Sequence, residues 1–251
     1  MKALAGLRIP PVSTRTGRLA RLPLRLLPPT AVVHVLSGPL RGMRWISGSA
    51  PHGAWLGTLE REKLRHFVHG LRPGMTVWDI GAHVGLYTLA SARTLATEGT
   101  VCAFEPLGQN VALLRRHLAL NGLVNVEVYE TAVGDRSGRL RMSAGDSPSE
   151  FHADPAGPFS LPVCAVDDWL ESTGARPPAV VKIDAEGSEA AILRGGARTF
   201  ATHRPRMYLS LHSDTQQREC KTLLLRWGYH IAAVTGRGDP DLTDEWIAEA
   251  S

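Results

Sequence analysis

The sequence predicts a Rossmann-like α/β fold: a doubly wound, mostly parallel seven-stranded sheet with a small N-terminal extension and a β-insertion. Three observations carry this reading. Short β-prone apolar runs alternate with helical periodicity along most of the chain, which calls for parallel strands joined by right-handed helical crossovers. The first of those runs ends in a glycine-bearing turn that leads straight into a helix. The 251 residues, 43% apolar and 21% charged, suffice for one sizeable core but are few for two full domains.

Residues 1–30 form a basic leader in which Pro10, Pro11, Pro23, Pro28 and Pro29 prevent a continuous helix or a central strand, because proline fixes φ and lacks an N–H. Residues 31–72 read as an extension packed on the core. Within it, Ala31 to Ile46, broken by Ser37-Gly38-Pro39, is a short hairpin, and Gly57 to Val68 is a helix. The main domain, 73–251, follows the turn Arg72-Pro73-Gly74. Thr76 to Ile80 is a buried strand, Leu86 to Ala96 a helix, and Thr100 to Phe104 a second strand. Asn110 to Asn121 is an amphipathic helix stopped at Gly122, and Val124 to Tyr129 is again a strand. Between Gly134 and Val166 the rhythm breaks into Gly138 to Met142, a polar Gly/Ser/Pro stretch, and Ser160 to Val166. This is a β-excursion with a loop over the active face. The βα pattern resumes with strand Val180 to Ile183 and a helix from Glu189 to Leu193 closed by Gly195-Gly196. Strand Met207 to Leu211, a helix to Trp227, and a β pair near His230 to Val234 and Trp246 to Ala248 complete the chain.

Composition narrows the partners. The net charge is +4, but no Asp or Glu precedes Glu60, whereas Lys2, Arg8, Arg15, Arg18, Arg21, Arg25, Arg41 and Arg44 do. The basic head is a solvated leader capable at most of a weak contact with an anionic surface. No RNA-binding aromatic pattern or helix-turn-helix accompanies it, so no nucleic acid is expected. No apolar run is long enough to span a membrane, and no secretory h-region opens the chain. Cys102, Cys164 and Cys220 match neither a zinc site nor a disulfide framework, which fits a reducing cytoplasm.

The decisive stretch is Val77-Trp78-Asp79-Ile80-Gly81-Ala82-His83-Val84-Gly85. Glycine permits positive φ and close approach of a ligand to the backbone. Dinucleotide enzymes place G-x-G-x-x-G here to cradle a pyrophosphate, and this chain has Asp-x-Gly-x-x-x-Gly instead. An acid before the turn suits a cofactor with an ammonium and a sulfonium but no phosphate, and S-adenosylmethionine is such a molecule. Glu105, just past the second strand, stands where α/β nucleotide folds put a carboxylate on ribose hydroxyls. Each feature has a plainer reading, a simple turn and a helix cap. Their joint order points to cofactor binding.

The sequence also resembles the FkbM-type methyltransferases, within the class I S-adenosylmethionine-dependent group, from about Gly38 to His212. The resemblance rests on Gly38-Pro39-Leu40-Arg41-Gly42, Leu56-Gly57-Thr58-Leu59-Glu60, Asp79 to Gly85, Phe104-Glu105-Pro106, Asn121-Gly122, Ala132-Val133-Gly134-Asp135, Val166-Asp167-Asp168 and Lys182-Ile183-Asp184-Ala185-Glu186-Gly187-Ser188-Glu189. It implies that the turn formed by Asp79, Gly81, Ala82, His83 and Gly85 holds the methionine part, Glu105 the ribose, and Ala132 the adenine edge. Two positions depart from the family: His83 stands where Asn is usual, and Leu59 where an aromatic is usual.

Methyl transfer is an in-line displacement, so catalysis is mostly alignment plus removal of the acceptor's proton. Asp184 and Glu186, at the end of a strand beside the cofactor crevice, are candidates for base or acceptor contact, with Lys182 and His212 beside them. The plainer roles are a helix cap for Asp184, an ion-pair partner for Lys182 and a strand-end histidine at 212. The carboxylate oxygens are also of the hard type that suits a divalent cation, but no metal site is assigned. Glu60 is a further candidate, against a helix-start acid. His52, His66, His69 and His117 read as surface or packing residues. The acceptor expected from the resemblance is a small-molecule hydroxyl on a sugar or polyketide-like compound. N-methylation, a non-catalytic binding module and a nicotinamide-dependent oxidoreductase are the alternatives.

Overall fold

The structure, a computed structural model, describes residues 14, 26–144, 151–153, 156–234 and 239–250. Most of the leader, and with it the anionic contact, lies outside the described residues, as does the polar stretch after Ala144. Strands β1 (Val32–His34) and β2 (Arg44–Ile46) pair antiparallel. A one-turn helix α1 (Gly53–Leu56) and helix α2 (Arg61–His69) lead to β3 (Thr76–Ile80), α3 (Leu86–Leu95), β4 (Thr100–Phe104), α4 (Gly108–Asn121) and β5 (Val126–Tyr129). The excursion supplies β6 (Ala132–Gly134), β7 (Gly138–Ala144), β8 (Phe151–Ala153) and β9 (Phe159–Ala165). Then follow α5 (Val166–Thr173), β10 (Val180–Ile183), α6 (Glu189–Gly195), α7 (Ala197–His203), β11 (Arg206–Ser210), α8 (Asp214–Arg226), β12 (Tyr229–Ala233) and β13 (Glu245–Ala250).

The main sheet has seven strands in the order β12-β13-β11-β10-β3-β4-β5. Neighbours from β11 to β5 are parallel, and β13 runs antiparallel between β11 and β12. Strands β6, β9, β7 and β8 form a separate small sheet, the expected insertion. From β3 the chain winds outward through β4 and β5, then returns to start the other half at β10. The C-terminal ends of β3 and β10 therefore flank the switch point where open α/β sheets bind ligands. Because both faces are covered, these strands are mostly apolar, with Asp79 in β3 and Lys182 in β10 as buried charged exceptions. Val77, Val101 and Val180 pack with Leu64, Phe67, Leu89 and Leu114 of α2 to α4. Trp78, Cys102 and Val181 pack with Trp169, Ile192, Phe200 and Leu224 of α5 to α8.

Several elements differ from the sequence reading. The helix expected from Gly57 begins at Arg61, because Gly57 takes φ 73° and ends α1, and Glu60 is left-handed too. A Cβ at Gly57 would fall on the Ser37 carbonyl. Strand β5 starts two residues late, leaving Val124 exposed. Helix α5 went unread because it continues β9 without a breaker. Helix α7 went unread because Gly195-Gly196 signals a stop. The stop is real, since α6 ends at Gly195, and both glycines are packing requirements as well: a Cβ at Gly195 would strike the Gly134 carbonyl, and one at Gly196 the Phe200 ring. The chain then restarts a helix whose first N–H groups, of Arg198 and Thr199, are capped by the Asp167 carboxylate.

The N-terminal hairpin is held to α4 by directional contacts. His117 is fully buried, its Nδ1 donates to the Val84 carbonyl at 2.8 Å, and its Nε2 accepts from Ile46 N–H at 3.1 Å. Burial keeps the ring neutral by lowering its pKa, and Trp45 stacks on it at 4.2 Å between centroids. Asn121 adds a reciprocal pair with the Arg44 backbone at 2.8 and 2.9 Å. Replacing His117 with Ala strands a buried N–H and a buried carbonyl and opens space under Trp45. A loss of about 2–4 kcal/mol is expected, read as a lower urea midpoint; an unchanged midpoint would show that the hairpin adds nothing to the folded core.

Candidate active site

A cavity of about 280 Å³ opens at the switch point. Its wall is composite. Gly81, Ala82 and His83 come from the turn after β3, Glu105 from just past β4, Thr131 from the turn after β5 and Ala132 from the start of β6. Lys182, Asp184 and Glu186 come from β10 and the turn beyond it, Leu140 from the insertion, and Trp45, Ala54, Leu59 and Glu60 from the N-terminal segment.

The turn after β3 is tight because it touches the turn after β10. Gly81 has φ 77°, and a Cβ there would land on the Asp184 carbonyl. Most of its backbone donors are engaged within the protein. Gly81 and Ala82 both donate to the Phe104 carbonyl, Gly85 donates to Ala82, and His83 N–H donates to Glu105 Oε2 at 2.9 Å. Glu105 Oε1 also accepts from Leu107 N–H and Asn110 Nδ2, each at 3.0 Å. The carboxylate is therefore fixed at the mouth of the cavity, and these N–H groups form no cradle for a pyrophosphate.

Behind the wall lies a buried charge cluster. Lys182 Nζ donates to the Gly81 carbonyl at 2.7 Å and lies 3.4 Å from Asp79 Oδ1 and 3.6 Å from Asp184 Oδ2. Burial alone would lower the Lys182 pKa, but Asp184, Asp79 and Glu60 more than offset it and raise it to about 12. Burial likewise pushes Asp184 up, yet Lys182, Lys63 and His212 bring its pKa below the ordinary carboxylate value, so it is ionised. Asp79 also accepts from Thr88 Oγ1 at 2.5 Å. Toward the extension, Tyr87 donates to Glu60 Oε2 at 2.7 Å, and Lys63 donates to Ser210 Oγ and pairs with Glu245. His212 Nε2 lies 3.6 Å from Asp184 Oδ1 and 3.4 Å from Glu186 Oε2, and these three side chains gather within 4.8 Å.

Of the residues singled out from sequence, Gly81, Ala82, His83, Glu105, Ala132, Lys182, Asp184 and Glu186 line the cavity together. Asp79 and Gly85 do not. Asp79 is fully buried behind the wall, and Gly85 starts α3 with φ 101°, where a Cβ would meet Leu114 and Leu89. His212 sits beside the wall against Asp184 and Glu186. Sequence reasoning missed Tyr87, Thr88, Lys63 and Glu189. The first three carry no spacing signal, since they reach the site only through packing of α2 and α3. Glu189 closes the motif that starts at Lys182 and was legible there as a residue, though not as a contact.

The wall presents four carboxylates, Glu60, Glu105, Asp184 and Glu186, against the single ammonium of Lys182; burial lowers the pKa of His83, which favours its neutral form. Such a lining favours a cationic ligand without phosphate. This lining fits S-adenosylmethionine, with its ammonium and sulfonium.

Residues 79–246 match the Methyltransferase FkbM domain. The chain is 39% identical over 100 residues to a 31-O-demethyl-FK506 methyltransferase FkbM of Streptomyces tacrolimicus, a segment that covers 39% of this chain and 37% of that relative. The crystal structure of a methyltransferase FkbM from Methylobacillus flagellatus KT superposes with a TM-score of 0.51 at 19% identity, covering 79% of this chain and 53% of the other. That of a precorrin-6y C5,15-methyltransferase from Geobacter metallireducens GS-15 gives 0.50 at 15% identity, over 76% and 88%. At these identities the two structures show the shared fold. S-adenosylmethionine is the cofactor of this domain. The chain belongs to the FkbM methyltransferase family.

Proposed function

We propose that the protein methylates a hydroxyl group of a small-molecule acceptor, a sugar or a polyketide-like compound, with S-adenosylmethionine as donor. The observation that carries this is Asp184: an ionised carboxylate on the same cavity wall as Glu105 and the glycine turn. The curated relative is an O-demethyl-FK506 methyltransferase, and the apolar side formed by Trp45, Ala50, Ala54 and Leu59 suits a carbon skeleton of that type. When bound, the cofactor supplies an electrophilic methyl group on sulfur.

The chain's own residues then have three tasks. Glu105 orients the ribose, and the turn at Gly81 with the acidic wall holds the cationic methionine end. Asp184 accepts a hydrogen bond from the acceptor hydroxyl and takes its proton as the new C–O bond forms and the C–S bond breaks. Lys182 keeps Asp184 ionised and in place. We also place the reaction in the cytoplasm, where Cys102, Cys164 and Cys220, all free, stay reduced. Among the described residues, no helix is long and apolar enough to cross a membrane.

Replacing Asp184 with Asn is expected to cut turnover about 100-fold or more while calorimetry shows S-adenosylhomocysteine still binding; undiminished turnover would refute the assignment of the base. Replacing Glu105 with Gln removes a charge-assisted contact to the ribose, and S-adenosylhomocysteine affinity is expected to fall about 10-fold or more. Native protein that binds a nicotinamide dinucleotide in the same calorimeter and ignores S-adenosylhomocysteine would contradict the cofactor assignment.

A further inference from the structure

Glu189, the first residue of α6, is fully buried but is not part of the cavity wall. A carboxylate withdrawn from water needs donors, and its Oε1 has three. Ala185 N–H lies at 3.2 Å, Gly187 N–H at 3.0 Å and His212 Nδ1 at 2.9 Å. The first two belong to the turn that carries Asp184 and Glu186. Oε2 has no hydrogen-bond partner among the described residues, so the charge is balanced through Oε1. Across the imidazole, Nε2 faces Asp184 Oδ1 and Glu186 Oε2. One ring from the end of β11 thus stands among three carboxylates from α6 and the preceding turn. Lys182 faces the other oxygen of Asp184 and is shared with Asp79.

We propose that Glu189 is a positioning residue: it anchors His212 through Nδ1, and the ring, carried as an imidazolium, turns Nε2–H toward Asp184 and Glu186 and fixes both carboxylates at the cavity. A hydrogen bond at one imidazole nitrogen sets the orientation and the proton of the other. The surroundings act in the same sense. The Glu189 hydrogen bond is the largest influence on His212 and, with Glu186 and Asp184, outweighs burial to raise its pKa to about 9. Because the folded pKa lies above the ordinary 6.5, the linked stability is complete below pH 6.5 and is lost as pH rises through about 9. The inference deepens the reading of Asp184 and rests on it for the kinetic readout alone.

The test follows His212 by imidazole NMR titration in the full chain, with the resonance assigned by its loss in H212N. In the native chain His212 is expected to titrate near pH 9. In E189Q, which keeps the shape and an acceptor for the turn but loses the charge, it should titrate lower by about one unit or more. The alkaline limb of kcat/KM should move with it, and S-adenosylhomocysteine affinity should hold within about threefold. A purely structural Glu189 would lower the Tm of E189Q and leave the titration and the kinetic limb unmoved, which would overturn the proposal. Should E189Q not fold, the native titration still decides: a His212 pKa near 6.5 would overturn the proposal, as would a resonance broadened by stoichiometric Mn2+, since Nε2 would then hold a metal rather than a proton. If D184N retained full turnover while His212 titrated near pH 9, the base assignment would fail and the anchoring by Glu189 would stand.

Discussion

The ammonium of Lys182, buried where β10 meets β3, is the constraint around which the site is organised. Lys182 and Asp79 are register partners across those two strands. A cation with 3% exposure persists only if acceptors surround it, and here they are the Asp79 carboxylate, the Asp184 carboxylate and the Gly81 carbonyl. One charge therefore ties the strand that carries the glycine turn to the strand that carries the proposed base. Gly81 has no side chain because that tie brings the Asp184 carbonyl onto the place its Cβ would occupy. Such a cluster contributes little net stability after desolvation. What it supplies is fixed geometry at the topological switch point.

From that geometry follows the choice of ligand. In the turn after β3, the amides of Gly81, Ala82, His83 and Gly85 are used on Phe104, Glu105 and Ala82, so they are not available to a phosphate. The charge left facing the cavity is predominantly acidic. The N-terminal segment shares in this, because Glu60 and Leu59 reach the wall. Trp45, from the hairpin stacked on His117, reaches the same wall, so a segment outside the sheet helps to define the cavity.

Much of the site was legible in the chain order of its residues. Asp79 to Gly85, Glu105, Ala132 and the stretch from Lys182 to Glu186 each fall at or just past the end of a β-prone run, and an α/β sheet gathers such ends on one edge. The distinction between Asp79 and Asp184 was not legible. Both precede glycine-containing turns, yet one lies behind the wall and the other on it. That difference arises because Asp79 lies inside β3, paired in register with Lys182, whereas Asp184 lies one residue past β10. The stop of α6 at Gly195-Gly196 was legible, but the immediate restart as α7 was not: glycine there also answers a carbonyl and a ring brought in from elsewhere.

The sequence by itself determined the class of fold, the order of most of its strands and helices, and the glycine turn that borders the cavity, because these depend on local periodicity, glycine conformations and short spacings. Only the tertiary structure decided which charges meet. Lys63 with Glu245, Tyr87 with Glu60, and His212 with Glu189 are separated by 182, 27 and 23 residues respectively. Their pairing depends on how α2, α3 and α6 pack on the sheet, since a buried ionic contact is specified by three-dimensional proximity and desolvation that no local pattern encodes.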